Sequence, residues 1–131
     1  MKKNAFALII LVLIAIGGFL SLLFLLQRDN DSAAQNIGTF DLTKYQWEVQ
    51  SFSTNNNIGE VKDKSAAINE AKSLWLEKYN IDAHERNVEV FYDSKEECWH
   101  VCGALSPDKL GGDLHAIIRK NGDVLAVWID D

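Results

Sequence analysis

Twenty-two consecutive residues without a charge, AFALIILVLIAIGGFLSLLFLL from Ala5 to Leu26, constrain this chain more than any other feature. As a helix rising ~1.5 Å per residue the run reaches ~33 Å, enough to cross a bilayer core of ~30 Å. The alternative is a cleaved signal peptide, for which Ser32-Ala33-Ala34 supplies small residues at a suitable spacing. Signal peptides usually have an apolar core of only about 7–15 residues, and here the charged QRDND separates the run from those small residues, so an uncleaved anchor is favoured. Gly17-Gly18 lacks the GxxxG spacing of a packed helix pair. Lys2 and Lys3 precede the run, whereas Arg28 beyond it is followed by Asp29 and Asp31. The positive-inside rule then places residues 1–4 in the cytoplasm and residues 5–26 as a single-pass transmembrane anchor in the inner or cytoplasmic membrane. Residues 27–42 become a polar tether and residues 43–131 an extracytoplasmic domain. No cysteine follows the apolar run closely, which excludes a lipoprotein anchor.

The charge supports an exposed protein surface rather than a nucleic-acid one. The whole chain carries a formal charge of -6, and Gln27 to Asp131 holds 11 Lys and Arg against 19 Asp and Glu, a net of -8. Such a domain repels phosphate backbones, so no nucleic acid is expected as a partner. It suits a basic protein partner, and it also serves plain solubility.

Along the domain, Tyr45, Trp47 and Val49 alternate with Gln46, Glu48 and Gln50, the period of a half-buried strand. Asn55-Asn56-Asn57 followed by Gly59 reads as a loop. The stretch DKSAAINEAKSLWLEKYN predicts a helix from Asp63. Asp63 or Ser65 caps it, Ala67, Ile68, Ala71, Leu74, Trp75 and Tyr79 form one apolar face, and Asn80 is a left-handed stop. Strands are expected at Asn87–Asp93, Glu97–Leu105, Leu114–Lys120 and Asp123–Ile129. The last two flank Asn121-Gly122, a hairpin signal whose turn needs positive φ at both residues. The expected architecture is α+β, with one helix packed on a curved antiparallel sheet of about four to five strands.

The stretch CWHVCGALSPDKLGG contains both cysteines and the single proline of the chain. On a strand, Trp99, Val101 and Gly103 point to one side and Cys98, His100 and Cys102 to the other. Residues four apart on a strand are separated by ~13 Å, too far for a disulfide, which needs Cα atoms within about 7 Å. Cys98 and His100 have the spacing of two zinc ligands, but Cys102 does not easily join them and a structural site needs four. No metal or other cofactor is therefore expected, and the pattern reads as two buried or half-buried thiols and a histidine on a sheet face. Free thiols outside the cytoplasm leave three alternatives: burial, pairing with another chain, or a strand assignment that is off by a turn.

The ordered set Trp99-His-Val-Cys-Gly103, Gly111-Gly112, Asn121-Gly122 and Val127-Trp128, preceded by GEVKDKSAAINEAKSLWLEKYN, resembles the bacterial immunity proteins of the nuclear-transport-factor-2 fold. The likeness covers about Gly59 to Trp128. A weaker resemblance is to small extracytoplasmic PepSY-like domains, which also place a helix before a hairpin. The first resemblance implies a nuclear-transport-factor-2 or cystatin-like sheet and a non-enzymatic protein that binds and neutralises a cognate toxin. Carried over by motif, Trp99, Gly103, Gly111, Gly112 and Gly122 are structural positions. This chain departs from the full fold in having less helix before Gly59.

Catalysis would require convergent groups in a pocket, and His84, His100 and His115 are the candidate bases. No phosphate loop, GxSxG elbow or HExxH motif is present. Two surfaces are candidates for a partner. One is the sheet face opposite the helix, with His100, His115 and Arg119. The other is an acidic edge that includes Asp82, Glu85, Glu89, Asp93, Glu96 and Glu97. The resulting expectation is a membrane-anchored, non-enzymatic immunity protein whose partner is a cognate protein toxin. The alternative is an extracytoplasmic accessory or PepSY-like binding domain of an envelope complex.

Overall fold

Apolar side chains on both sides of its central strands give this domain a sheet with two covered faces. The computed structural model describes residues 37–131. The Ala5–Leu26 run, with its membrane-spanning assignment, lies outside the described residues. Among the described residues no helix is long and apolar enough to cross a membrane.

The elements in chain order are β1 (Gly38–Thr39), a 3-10 turn (Leu42–Tyr45), α1 (Gln46–Ser51), β2 (Ser53–Asn57), α2 (Lys64–Tyr79), β3 (Asn87–Asp93), β4 (Cys98–Ala104), β5 (Leu114–Arg119) and β6 (Asp123–Ile129). They form one six-stranded sheet in the order β1-β3-β4-β5-β6-β2. β1 runs parallel to β3, and every other neighbouring pair is antiparallel. This corrects the expected antiparallel sheet of four to five strands under one helix: the sheet is mixed, has six strands and is accompanied by two helices.

The correction arises between residues 37 and 57. Tyr45, Trp47 and Val49 do not alternate on a strand. The face that packs is Leu42, Tyr45, Val49 and Phe52, spaced three and four apart as on a helix, while Trp47 is 67 % exposed. The Asn-rich stretch read as a loop is the edge strand β2. An edge strand has one neighbour and a solvated outer side, so it needs no apolar pattern. Thr54 Oγ1 fastens it to the Val124 carbonyl at 2.7 Å. Gly38 and Thr39, within the segment assigned to the tether, pair with Phe91 and Tyr92.

From Asp63 onward the helix and the four strands lie within a residue of their expected places. The Asp63 carboxylate accepts the Ala66 N–H at 2.8 Å, and Asn80 ends α2 in the left-handed region at φ 55°. α2 buries Ala67, Ala71, Leu74 and Trp75 against Val90, Trp99, Val101, Leu114, Ala116, Ile118, Val124 and Val127. Trp75 is fully buried, and its indole N–H donates to the His115 carbonyl at 3.1 Å. The opposite face carries Cys98, Ile117, Ala126 and Trp128, which lie under Leu42 with Phe40, Tyr45, Val49 and Phe52.

The β5–β6 hairpin also differs from its signal. Gly122 has φ 98°, whereas Asn121 is not among the residues with positive φ. The Gly122 N–H donates to the Arg119 carbonyl at 2.9 Å, closing a three-residue loop with a left-handed glycine at its end. A Cβ at Gly122 would overlap the Gly59 carbonyl.

Candidate functional site

The register of three strands assembles the chemistry on the face away from α2. β4 pairs with β5 so that Cys102 opposes His115 and His100 opposes Ile117. β6 pairs with β5 so that Trp128 opposes His115. His100 and His115 are therefore diagonal neighbours, and long side chains reach each other across that spacing.

The contacts form a chain. His100 Nε2 lies 3.0 Å from His115 Nδ1, and His115 Nε2 lies 2.7 Å from Asp130 Oδ2. The Trp128 indole N–H donates to Asp130 Oδ1 at 3.0 Å. Hydrogen-bond roles assign the tautomers. An ionised carboxylate only accepts, so His115 carries its proton on Nε2 and, when neutral, accepts at Nδ1 from His100 Nε2–H. The His115 ring stacks on Trp128 at 4.6 Å and 8°. His100 sits among Phe40, Tyr45, Phe91 and Trp128 at 5.0–5.8 Å between centroids and is 4 % exposed.

This enclosure sets the proton affinities. Burial, and secondly the neighbouring His115, lower the pKa of His100 from 6.5 to about 4, against a smaller opposing effect of Asp130. His100 is thus neutral near pH 7. Burial raises Cys98 to about 12 and Cys102 to about 11. For Cys102, the carboxylates of Asp113, Glu89 and Asp130 add to the rise, and Arg86 opposes it. Both thiols are free, and both remain protonated near neutrality. Both ring nitrogens of His115 are committed to His100 and Asp130, so neither serves as a base toward Cys102. The arrangement links a buried ring to an exposed carboxylate through a continuous line of hydrogen bonds.

The other sequence-derived positions divide between scaffold and surface. Trp99 is 5 % exposed, and its indole N–H donates to the Val61 carbonyl at 3.2 Å. Gly103 lies against the Trp75 ring, where a Cβ would come within 3.1 Å. Gly111 adopts φ 133°, and at Gly112 a Cβ would overlap the Asp130 carbonyl. Arg86 Nη1 donates to the carbonyls of Gly103 and Gly112 at 3.1 and 2.8 Å. Arg119 flanks Cys98 and donates to the Glu96 carbonyl at 3.2 Å.

Asp93 does not belong to an exposed acidic edge. It is buried, with Oδ2 accepting the Leu42 N–H at 2.8 Å and Oδ1 accepting the N–H groups of Lys95 and Glu96. These bonds, that of Leu42 first, hold its pKa below the usual carboxylate value. Glu96 is half-buried in the β3–β4 turn, whereas Glu89 is exposed on β3 opposite Cys102. The sheet face proposed as a partner surface is closed at its centre by Phe40–Phe52. His100 lies beneath that cover, and the His115–Asp130 end reaches solvent, with side chains 12 % and 54 % exposed.

Asp130, Phe40 and Phe91 are the members of the cluster that the residue pattern does not single out. Trp128-Ile-Asp130 on the hairpin partner of His115 is the signal that points to Asp130. The chain matches no protein-family model, no curated protein and no solved structure.

Proposed function

We propose that this chain is a non-enzymatic immunity protein, held at the cytoplasmic membrane with its folded domain outside, that binds and neutralises a cognate protein toxin. The carrying observation is the group of carboxylates at the open end of the His100–His115 face. Asp113, Glu89 and Asp130 all act on the Cys102 thiol, and Glu48 and Asp130 both act on the Tyr45 hydroxyl. The one base that opposes them at Cys102, Arg86, already donates to two backbone carbonyls. A rim of carboxylates around Tyr45 and Trp128 suits a basic partner. Charge steers its approach, and the aromatic rings supply rigid contact area.

The sequence resemblance to immunity proteins points the same way, and the motif positions Trp99, Gly103, Gly112 and Gly122 occupy sterically demanding places. The test is a competition between the source strain and a deletion mutant of this gene. The mutant is expected to lose against its parent, to recover with the wild-type chain, and to remain sensitive with Glu89→Lys/Asp130→Lys. A deletion mutant that competes equally with its parent would favour an accessory role in an envelope complex. Reporter fusions at the C-terminus test the location, and cytoplasmic reporter activity would overturn it.

A further inference from the structure

The His100–His115 contact accepts one extra proton but not two. With both rings neutral, one N–H lies between His100 Nε2 and His115 Nδ1, which are 3.0 Å apart. One added proton fits the geometry, because a ring at His115 with hydrogens on both nitrogens donates through Nε2 to Asp130 and through Nδ1 to His100. His100 then carries its own proton on Nδ1 instead of Nε2, and a single hydrogen still occupies the contact. A second added proton puts a hydrogen on each of the facing nitrogens and a second positive charge on a ring that is 4 % exposed. That charge opposes both the contact and the burial.

The groups around His100 do not neutralise it. From β5 it meets His115, with Arg119 further along the same face. Beyond β6 lies Asp130, which is already bonded to His115 and Trp128. β4 contributes the two thiols, Cys98 and Cys102. β3 contributes Phe91 directly, with Glu89 exposed and Asp93 spent on three backbone N–H groups. The cover contributes Phe40 and the Tyr45 ring, with Glu48 acting on Tyr45.

The cover is also the weakest layer of the domain. Leu42 is the one buried residue of the 3-10 turn, and α1 buries none and has no side-chain cap at its N-terminus. On the other face α2 buries four residues, Trp75 among them. Local opening begins where few apolar contacts are made.

We propose that Phe40–Phe52 is an acid-released cover, lifted when the His100–His115 pair takes its second proton, which exposes the Cys98, Ile117 and Trp128 face while α2 stays packed. The low proton affinity of His100 places this release below neutral pH. Cys98 is fully buried beneath the cover and reports the opening.

The experiment uses the full chain with Cys102→Ser and the acid-tolerant thiol reagent 4,4′-dithiodipyridine. The labelling rate is divided at each pH by that of the same chain in denaturant. Protection of Cys98 is expected to fall at least ~10-fold between pH 7 and pH 4.5 with far-UV circular dichroism unchanged. With His100→Gln added, protection is expected to stay within about twofold over the same range. Unchanged protection in the His100 chain, an equal loss in the His100→Gln chain, or loss of circular dichroism at the same midpoint would each overturn the proposal. Should His100→Gln fail to fold, histidine NMR of the wild type supplies the second check. It is expected to show full protonation of His100 only as Cys98 becomes reactive. Protonation of His100 with Cys98 still protected refutes the mechanism.

Discussion

Replacing His100 by Gln tests how strongly burial disfavours its charge. The pKa of the ring falls from 6.5 to about 4 in the folded domain. Between those values a solvated His100 binds a proton that the buried one does not, so acid favours any state in which the ring is solvated. Its contribution is fully present above about pH 6.5, falls through the window down to about pH 4, and is constant below it. At about 1.4 kcal/mol for each factor of ten in proton affinity, the whole window is worth about 3 kcal/mol. Gln has no titration there, although its amide still donates to His115. Urea unfolding at pH 7 and pH 4.5 is the assay, read as the change in stability of each protein. The carboxylates are common to both proteins and cancel in the difference. His100→Gln is expected to be the less stable protein at pH 7 and to lose about 2 kcal/mol less than wild type on acidification. Parallel losses in the two proteins, within about 0.5 kcal/mol, would refute the assignment of His100 as a buried neutral base.

Three further outcomes follow from the packing. Gly112→Ala forces a Cβ onto the Asp130 carbonyl and is expected to destabilise by about 2 kcal/mol, measured by urea unfolding, with weakened His115–Asp130 pairing. Trp75→Ala empties the centre of the α2 face and removes the bond to the His115 carbonyl, so a loss of about 3–5 kcal/mol is expected by the same measurement. Asp93→Asn weakens the anchor of the Leu42 N–H and is expected to cost about 2 kcal/mol at pH 7. Because the folded pKa of Asp93 is depressed, its contribution is present above the ordinary carboxylate value and is lost as pH falls through the lower one. The two proteins should therefore converge in strong acid.

The second half of the fold is legible because several independent signals coincide there. Asp63, the Ala67-to-Tyr79 spacing and Asn80 each mark α2, and the strands that follow alternate between two cores as their sequences imply. The first half carries conflicting signals. Tyr45, Trp47 and Val49 satisfy a period of two, yet Leu42, Tyr45, Val49 and Phe52 also satisfy helical spacing, and tertiary burial decides for the latter. Ser53–Asn57 lacks apolar residues because its pairing to β6 comes from backbone bonds at a solvated edge. Of the candidate site, the common face of Cys98, His100 and Cys102 is legible from alternation alone. The meeting of His100 with His115 is not, because it depends on how the β4–β5 connection sets the register.

The register of β6 shows why even a correct motif leaves a site undetermined. A two-residue Asn121-Gly122 turn would pair Lys120 with Asp123 and, further along, His115 with Trp128. The structure reaches the same His115–Trp128 pair by a different route. Its three-residue loop pairs Ile118 with Val124, and that register continued would have placed Val127 opposite His115. Trp128 and Asp130 would then have turned toward α2. Between Ile118↔Val124 and Ile117↔Ala126, Leu125 is the extra residue, a bulge that restores the register. Leu125 and Ala126 accordingly both pack on the covered face, and Asp130 arrives beside His115. The line of contacts from His100 to Asp130 thus depends on two local irregularities that offset each other, the left-handed Gly122 and the bulged Leu125. Only the first leaves a recognisable mark in the sequence.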